Sequence, residues 1–133
     1  MPRARNVRER CFQVLHWLKS EYPSGRVIVL HWRREIVATD TSGKRYQCMG
    51  ETWRDGRVWH IALSKRRCRR YTDAVDTLIH EYVHVMQWGP AAVESCEKID
   101  HHPSVFWLQQ GEILDRYHHH GGDEEATEYP VGP

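Results

Sequence analysis

Two histidines separated by three residues have the clearest chemical potential in this sequence. The segment His80-Glu81-Tyr82-Val83-His84 places two imidazoles four positions apart, and on a helix residues with that spacing lie on one face. Both rings can then reach one Zn²⁺ ion, with each nitrogen at about 2.0–2.1 Å. Glu81 is rotated away from this pair and is placed beside a metal-bound water. The sequence therefore predicts a zinc site with His80 and His84 as ligands.

The chemistry that this spacing predicts is hydrolysis by an activated water. Zinc lowers the pKa of its bound water toward about 7 and polarises a carbonyl oxygen. Glu81 is predicted to take the proton as the water attacks the carbonyl carbon, and to deliver it to the departing amine. In the competing interpretation, His80 and His84 are ordinary hydrogen-bonded histidines on a helix surface.

A third protein ligand is expected, because catalytic zinc sites normally have three. His101 and His102 directly precede Pro103, a residue favoured at the first position of a helix. That helix can fold back against the helix that carries the first two ligands. We predict His102 as the third ligand, with its neighbour His101 as the alternative.

This combination of motifs resembles the SprT-like and WLM (YgjP-like) zinc metallopeptidases, which are minigluzincin-like. The matching residues are His80, Glu81, His84, His102, Phe106 and Trp107. The resemblance covers about residues 6–117 and implies a zincin-like fold and peptide-bond hydrolysis, in some members on proteins bound to DNA. Pro103 departs from the small residue usual there. The C-terminal four-cysteine zinc ribbon of many SprT-like proteins is absent from the sequence, which weakens the expectation of a DNA-linked role.

Three helices are predicted to position these residues. The first spans residues 6–22, with Asn6 as N-cap and apolar residues three and four apart on one face. The second spans residues 72–88, with Thr72 as N-cap, and contains the HExxH motif. The third starts at Pro103 and runs to about Tyr117, with Phe106 and Trp107 anchoring it in the core.

Residues 26–64 are predicted to form a small sheet. The runs 26–37, 45–53 and 57–64 are rich in branched and alternating apolar residues, and Asp55-Gly56 predicts a hairpin between the last two. In the run 57–64 both sets of alternating residues are largely apolar, which predicts a strand covered on both faces. The fold class is therefore predicted to be α+β, with a three-stranded antiparallel sheet between the first helix and a packed pair of later helices.

Size and composition predict one domain. The 133 residues suit a single core, predicted over residues 1–120, and residues 121–133 are predicted to be a disordered acidic tail. The net charge of +1 favours neither a nucleic-acid binder nor a strongly acidic protein. No apolar run reaches the roughly 20 residues of a membrane span.

The cysteine pattern predicts reduced thiols and a cytoplasmic location. The sequence has four cysteines, no Cys-x-x-Cys pair and no recognisable secretory signal at its basic N-terminus. They are Cys11, Cys48, Cys68 and Cys96.

Several other residues have two possible roles. The basic run Lys65–Arg70 can contact DNA phosphates, although a solvated loop between a strand and a helix is favoured. Arg116 and Tyr117 are candidate donors to a developing oxyanion. His31 and His60 are assigned ordinary structural roles.

The sequence as a whole thus predicts a zinc-dependent metallopeptidase. Its partner is predicted to be a protein or peptide substrate, added as an extended strand along an exposed sheet edge. The alternative is a non-catalytic, zinc-stabilised DNA- or protein-binding adaptor.

Overall fold

A computed structural model of the chain describes residues 1–87 and 104–121. Within these ranges the helices are α1 (Val7–Glu21), α2 (Tyr71–Met86) and α3 (Ser104–Arg116), the last followed by a π-helical segment, Tyr117–Gly121. The strands are β1 (Val27–Arg33), β2 (Ile36–Thr39), β3 (Arg45–Cys48), β4 (Gly50–Asp55) and β5 (Val58–Ser64). The fold is therefore mixed α+β, as predicted. Residues 88–103 and the predicted acidic tail beyond residue 121 lie outside the described residues.

The strand pairing differs from the predicted three-stranded antiparallel sheet. β1, β5 and β4 form a sheet in that order, and β4 is antiparallel to β5, but β1 runs parallel to β5, with Val27 opposite Val58. β2 and β3 form a separate antiparallel hairpin. The predicted strands 26–37 and 45–53 are each interrupted, around residues 34–35 and at Met49. These interruptions let the β2–β3 hairpin leave the sheet and pack on one of its faces.

The hairpin predicted at Asp55-Gly56 is confirmed. Asp55 pairs with Val58 across a two-residue turn, and Gly56 takes a positive φ of 63°. Glycine adopts this conformation without steric cost, and two-residue hairpins with glycine first rely on it. The turn fixes β4 against β5 in the register that positions the candidate site.

The helix boundaries lie within two residues of the predicted ones. Asn6 caps α1, and its side-chain oxygen accepts a hydrogen bond of 2.8 Å from the backbone N–H of Glu9. The prediction of Thr72 as N-cap of α2 is wrong, because the helix already begins at Tyr71 and the extended residue before it is Arg70. Within the described ranges, no helix has both the length and the apolar composition needed to span a membrane.

α2 is the central element of the core, as its broad apolar surface predicts. It packs against α1, α3, β4 and β5, and its buried side chains include Leu78, Ile79 and Tyr82. The Tyr82 hydroxyl, within the HExxH motif, donates a 2.6 Å hydrogen bond to the backbone carbonyl of Tyr22 at the end of α1. Full burial of an aliphatic side chain stabilises a fold by roughly 1.5–3 kcal/mol, so the core holds the motif helix firmly in place.

Both faces of β5 are covered, as predicted. Ile61 and Leu63 belong to the main core beneath the helices, whereas Ala62 packs with Ile36 and Cys48 of the β2–β3 hairpin. The sheet thus has an inner face toward α2 and an outer face toward the hairpin.

The prediction that all cysteines are reduced is wrong for Cys48, which is disulfide-bonded. Cys11 and Cys68 are free and buried. Burial raises the pKa of the Cys68 thiol to about 11, which makes it a weak nucleophile. Cys96 lies outside the described residues.

Candidate metal centre

His80 and His84 lie one turn apart on α2, in the arrangement that the motif predicts. Their ring centroids are 5.0 Å apart and their ring planes are inclined at 80°. Two imidazoles bound to one tetrahedral ion, with metal–nitrogen distances of about 2.0–2.1 Å, have ring centres about 5 Å apart. The geometry of the two rings therefore fits a shared metal ion. Residues 1–87 and 104–121 contain no group of three or more histidine, cysteine, aspartate or glutamate residues that could hold a metal.

His80 is hydrogen-bonded to α3. Its Nδ1 atom lies 2.6 Å from Oε1 of Gln110. A side-chain amide oxygen only accepts hydrogen bonds, so Nδ1 carries the proton and the lone pair of the neutral ring is on Nε2. Zinc binds the lone-pair nitrogen of a neutral imidazole. The tautomer that this contact selects is therefore one that can bind a metal through Nε2.

Aromatic residues of α3 border the two histidines. The Phe106 side chain is only 2% exposed, and its ring centroid is 4.8 Å from that of His80 and 4.6 Å from that of His84. The prediction that Phe106 anchors the helix is confirmed. For Trp107 the prediction is wrong, because its side chain is 43% exposed. Phe106 faces the two histidines of α2, whereas Trp107, about 100° further round the helix, is partly turned to solvent.

Glu81 points from α2 toward the sheet. Its side chain is 7% exposed, and its Oε1 atom accepts a 2.7 Å hydrogen bond from the hydroxyl of Thr52 on β4. Burial raises the pKa of Glu81 to about 7, although the Thr52 hydrogen bond acts in the opposite direction. A carboxyl group with a pKa near neutrality can both accept and release a proton.

β4 can approach Glu81 closely because it begins with a glycine. A Cβ atom at Gly50 would lie 2.7 Å from Cγ2 of Thr77 and 3.2 Å from Cγ of Glu81. Gly50 and Thr52 are two residues apart on a strand and so face the same side. Gly50 thus allows β4 to lie close to α2. At this short distance the hydroxyl of Thr52 can donate its hydrogen bond to the Glu81 carboxyl group.

Gly50, Thr52 and Gln110 also belong to this site, although the sequence motifs do not predict them. Gln110 had a local signal, since it is four residues after Phe106 and therefore on the same face of α3. Thr52 is 29 positions from Glu81, and only the packing of the helix on the sheet brings them together. No local pattern in the sequence marks that contact.

The remaining predicted site residues have other surroundings. His102 and its alternative His101 lie outside the described residues. Arg116 donates a 2.6 Å hydrogen bond to Glu21 of α1, and Tyr117 is buried with its ring 5.4 Å from that of Trp17, also on α1. These contacts tie the end of α3 to α1, and a role of either residue as an oxyanion donor stays a prediction.

The basic run Lys65–Arg70 forms the loop between β5 and α2, as favoured from the sequence. Its basic side chains are exposed and only Cys68 within it is buried. Arg66 forms a salt bridge of 3.1 Å with Glu35. Contact of this loop with DNA stays a prediction.

A second pair of histidines lies on the outer face of the sheet. His31 Nε2 and His60 Nδ1 are 2.8 Å apart, and the ring of Trp53 stacks on both, with centroid distances of 5.3 Å and 4.9 Å. Burial, the neighbouring His60 and the charge of Arg33 lower the pKa of His31. The two histidines are thus each other's hydrogen-bond partners.

Comparisons of the chain with protein-family models, with curated proteins and with solved structures found no match.

Proposed function

We propose that this protein is a zinc-dependent metallopeptidase with a zincin-like arrangement of its motif helix, sheet and third helix. The observation that carries the proposal is the geometry of the motif on α2. His80 and His84 present rings 5.0 Å apart, and Glu81 lies between them in sequence with its carboxyl group in the α2–β4 interface. Two imidazoles able to share a metal ion and a carboxyl group able to accept a proton are two of the components of metal-assisted hydrolysis.

In this proposal His80 and His84 hold the metal through their ring nitrogens. His102 is the third ligand, with His101 as the alternative, because a catalytic zinc site normally has three protein ligands and one open position. When bound, zinc supplies an activated water and polarises the substrate carbonyl.

Glu81 is the general base and then the general acid. Its carboxylate accepts a proton from the attacking water, and the resulting carboxylic acid gives that proton to the leaving amine. Thr52 keeps one carboxyl oxygen in place through its 2.7 Å hydrogen bond. Because this contact holds Glu81 before substrate arrives, little reorganisation is needed at the moment of reaction.

The substrate is proposed to be an extended peptide. In the part of the chain that the structure describes, β4 pairs with β5 on one side and stands at the end of the sheet order. An extended peptide can add to such an edge through backbone hydrogen bonds. Since β4 also carries Thr52, a peptide on this edge would lie beside the Glu81 carboxyl group.

The decisive experiment is the substitution Glu81→Gln. The amide keeps the size of the side chain but cannot accept the proton, so hydrolysis should fall by about 10²–10⁴-fold while zinc content stays the same. Cleavage is measured on a peptide library and on unfolded proteins by mass spectrometry, and zinc by elemental analysis. The matched control is Glu112→Gln, the same change at an exposed position of α3, which should alter neither quantity.

Full activity of Glu81→Gln on a confirmed substrate would show that the assigned role of Glu81 is wrong. If the wild-type chain binds zinc stoichiometrically, unfolds on chelation and cleaves no member of the library, the non-catalytic adaptor replaces the peptidase. Replacing His101 and His102 separately by alanine identifies the third ligand, because only one of the two variants should lose zinc.

A further inference from the structure

We infer that Gln110 is a positioning residue for the metal centre, which selects the ring nitrogen that His80 presents to the metal. The inference depends on the proposed role of His80 as a ligand. Its basis is the contact between His80 Nδ1 and Gln110 Oε1, whose atoms are 2.6 Å apart. This is slightly shorter than the usual range of about 2.7–3.2 Å for hydrogen bonds between nitrogen and oxygen.

The contact fixes both the tautomer and the orientation of the ring. Turning the His80 ring over would place a carbon, in place of Nδ1, against the amide oxygen and would lose the hydrogen bond. The ring is also bordered by Phe106, with an edge-to-face centroid distance of 4.8 Å, and by His84 at 5.0 Å. The Gln110 hydrogen bond depends on which ring atom faces α3, and so it distinguishes one ring orientation from the other.

Gln110 is held in position by the packing of α3 on α2. The adjacent residue, Gln109, accepts a 2.6 Å hydrogen bond from the side chain of Gln87 at the end of α2. The two neighbouring glutamines thus both join α3 to α2, but only Gln110 contacts a histidine of the motif. They provide a matched pair for experiment, with the same residue type, the same helix and a different partner.

The acceptor of the His80 hydrogen bond is the neutral amide of Gln110, and the chemistry of this acceptor affects the affinity for zinc. Histidine ligands commonly donate their second ring N–H to a carboxylate or a carbonyl oxygen, and loss of such a partner costs about 10–100-fold in metal affinity. A carboxylate makes the histidine more basic than a neutral amide does. We therefore expect zinc affinity to rise in Gln110→Glu and to fall by about 10–100-fold in Gln110→Met, which lacks an acceptor of similar strength.

The test has two readouts in the full-length chain. Nitrogen-15 NMR of the histidine side chains, at a pH well above the ordinary histidine pKa, should show His80 with the proton on Nδ1 both before and after zinc addition. Competition with a chromophoric chelator gives zinc affinity for the wild type, Gln110→Met, Gln110→Glu and the control Gln109→Met. The control should lose stability but retain the wild-type zinc affinity and the His80 tautomer.

A proton on Nε2 of His80 in the zinc-free wild type overturns the inference, and this measurement needs no variant. Equal zinc affinity in Gln110→Met and the wild type overturns it as well, as does a loss in Gln109→Met as large as that in Gln110→Met. If the wild type binds no zinc through His80, the proposed function fails, but the tautomer still reports whether Gln110 fixes the ring. The two failures are therefore distinguishable.

Discussion

The histidine pair on α2 and the histidine pair on the outer face of the sheet have the same ring separation. The rings of His80 and His84 have centroids 5.0 Å apart, with planes inclined at 80°. The rings of His31 and His60 also have centroids 5.0 Å apart, but their planes are inclined at only 31°. Separation alone therefore does not define a metal site, and the direction of the ring nitrogens decides what each pair can bind.

In the outer pair the nitrogens point at each other. The 2.8 Å between His31 Nε2 and His60 Nδ1, added to the radii of two imidazole rings, accounts for the whole centroid separation. The two lone-pair directions are then nearly collinear, which suits one shared proton. A metal ion would require both directions to converge on a third point. The stacked ring of Trp53 holds this arrangement in place.

In the pair on α2 the two rings come from successive turns of one helix. Nδ1 of His80 is engaged with Gln110 on α3, which turns the opposite nitrogen of the ring away from that contact. The large angle between the ring planes is compatible with two nitrogens directed at one ion. The comparison thus separates a pair that shares a proton from a pair that we propose shares a metal.

The largest expected difference between the two pairs is in zinc binding. His84→Ala should lower zinc affinity by more than about 100-fold, because even outer contacts to ligands are worth 10–100-fold. His60→Ala should leave zinc affinity unchanged and lower only the free energy of unfolding, by about 0.5–1.5 kcal/mol from the lost ring stacking. Competition with a chelator and urea denaturation measure the two quantities. Equal zinc affinity in the two variants would remove the distinction between the pairs.

The second expected effect concerns the close packing around Glu81. Gly50→Ala should lower the free energy of unfolding by about 1–3 kcal/mol, because the new methyl group would meet Thr77 and Glu81. Gly111→Ala is the matched control on α3, where a Cβ atom would meet nothing within 4 Å. It should raise the free energy of unfolding by about 0.5–1 kcal/mol, since alanine is the better helix residue. Urea denaturation measures the free energy of unfolding of both variants. A loss in Gly50→Ala alone would show that the close approach at β4 requires glycine, whereas a loss in both would show a general effect of replacing glycine.

The smallest expected effect is a pH dependence that belongs to the outer pair. The pKa of His31 is lowered in the fold, chiefly by burial and then by His60 and Arg33, whereas the unfolded chain has an ordinary histidine pKa of about 6.5. The unfolded state then binds protons more readily, so stability from His31 is complete above about pH 6.5 and is lost as pH falls through the folded pKa.

His31→Gln should remove this component, because glutamine can donate to His60 without titrating. The urea midpoint of the wild type should therefore decline more steeply than that of His31→Gln between about pH 7 and about pH 5. Parallel pH profiles for the two proteins would show that His31 does not titrate differently in the folded chain.

The elements that could be predicted from the sequence are those determined by local signals. The Asn6 cap, the apolar face of α1, the motif helix and the turn at Gly56 all depend on residues within a few positions of one another. The division of the predicted strands at residues 34–35 and at Met49 has no such signal, since the residues on both sides favour strands. The parallel pairing of Val27 with Val58 joins residues 31 positions apart, and either strand direction satisfies the same apolar pattern.

The residues of the candidate site also fall into those that local sequence predicts and those that only packing brings together. His80, Glu81 and His84 are close together in the sequence, and their spacing indicates a role by itself. Thr52 and Gln110 come from β4 and α3, and each is recognisable only once its element is packed against α2. The one site residue with a partial signal was Gln110, through its i,i+4 relation to Phe106.

Gly50 has a consequence for how the sheet assembles. Adjacent residues of β4 serve opposite faces, so Thr52 reaches Glu81 while Trp53 stacks on the outer histidines. A slip of one residue in the alignment of β4 with β5 would exchange them and press the indole of Trp53 against the motif helix. Only one alignment brings a residue without a side chain beneath Thr77. Gly50 therefore marks the correct register, because only in that register does the sheet leave room for Thr77 and Glu81 of α2.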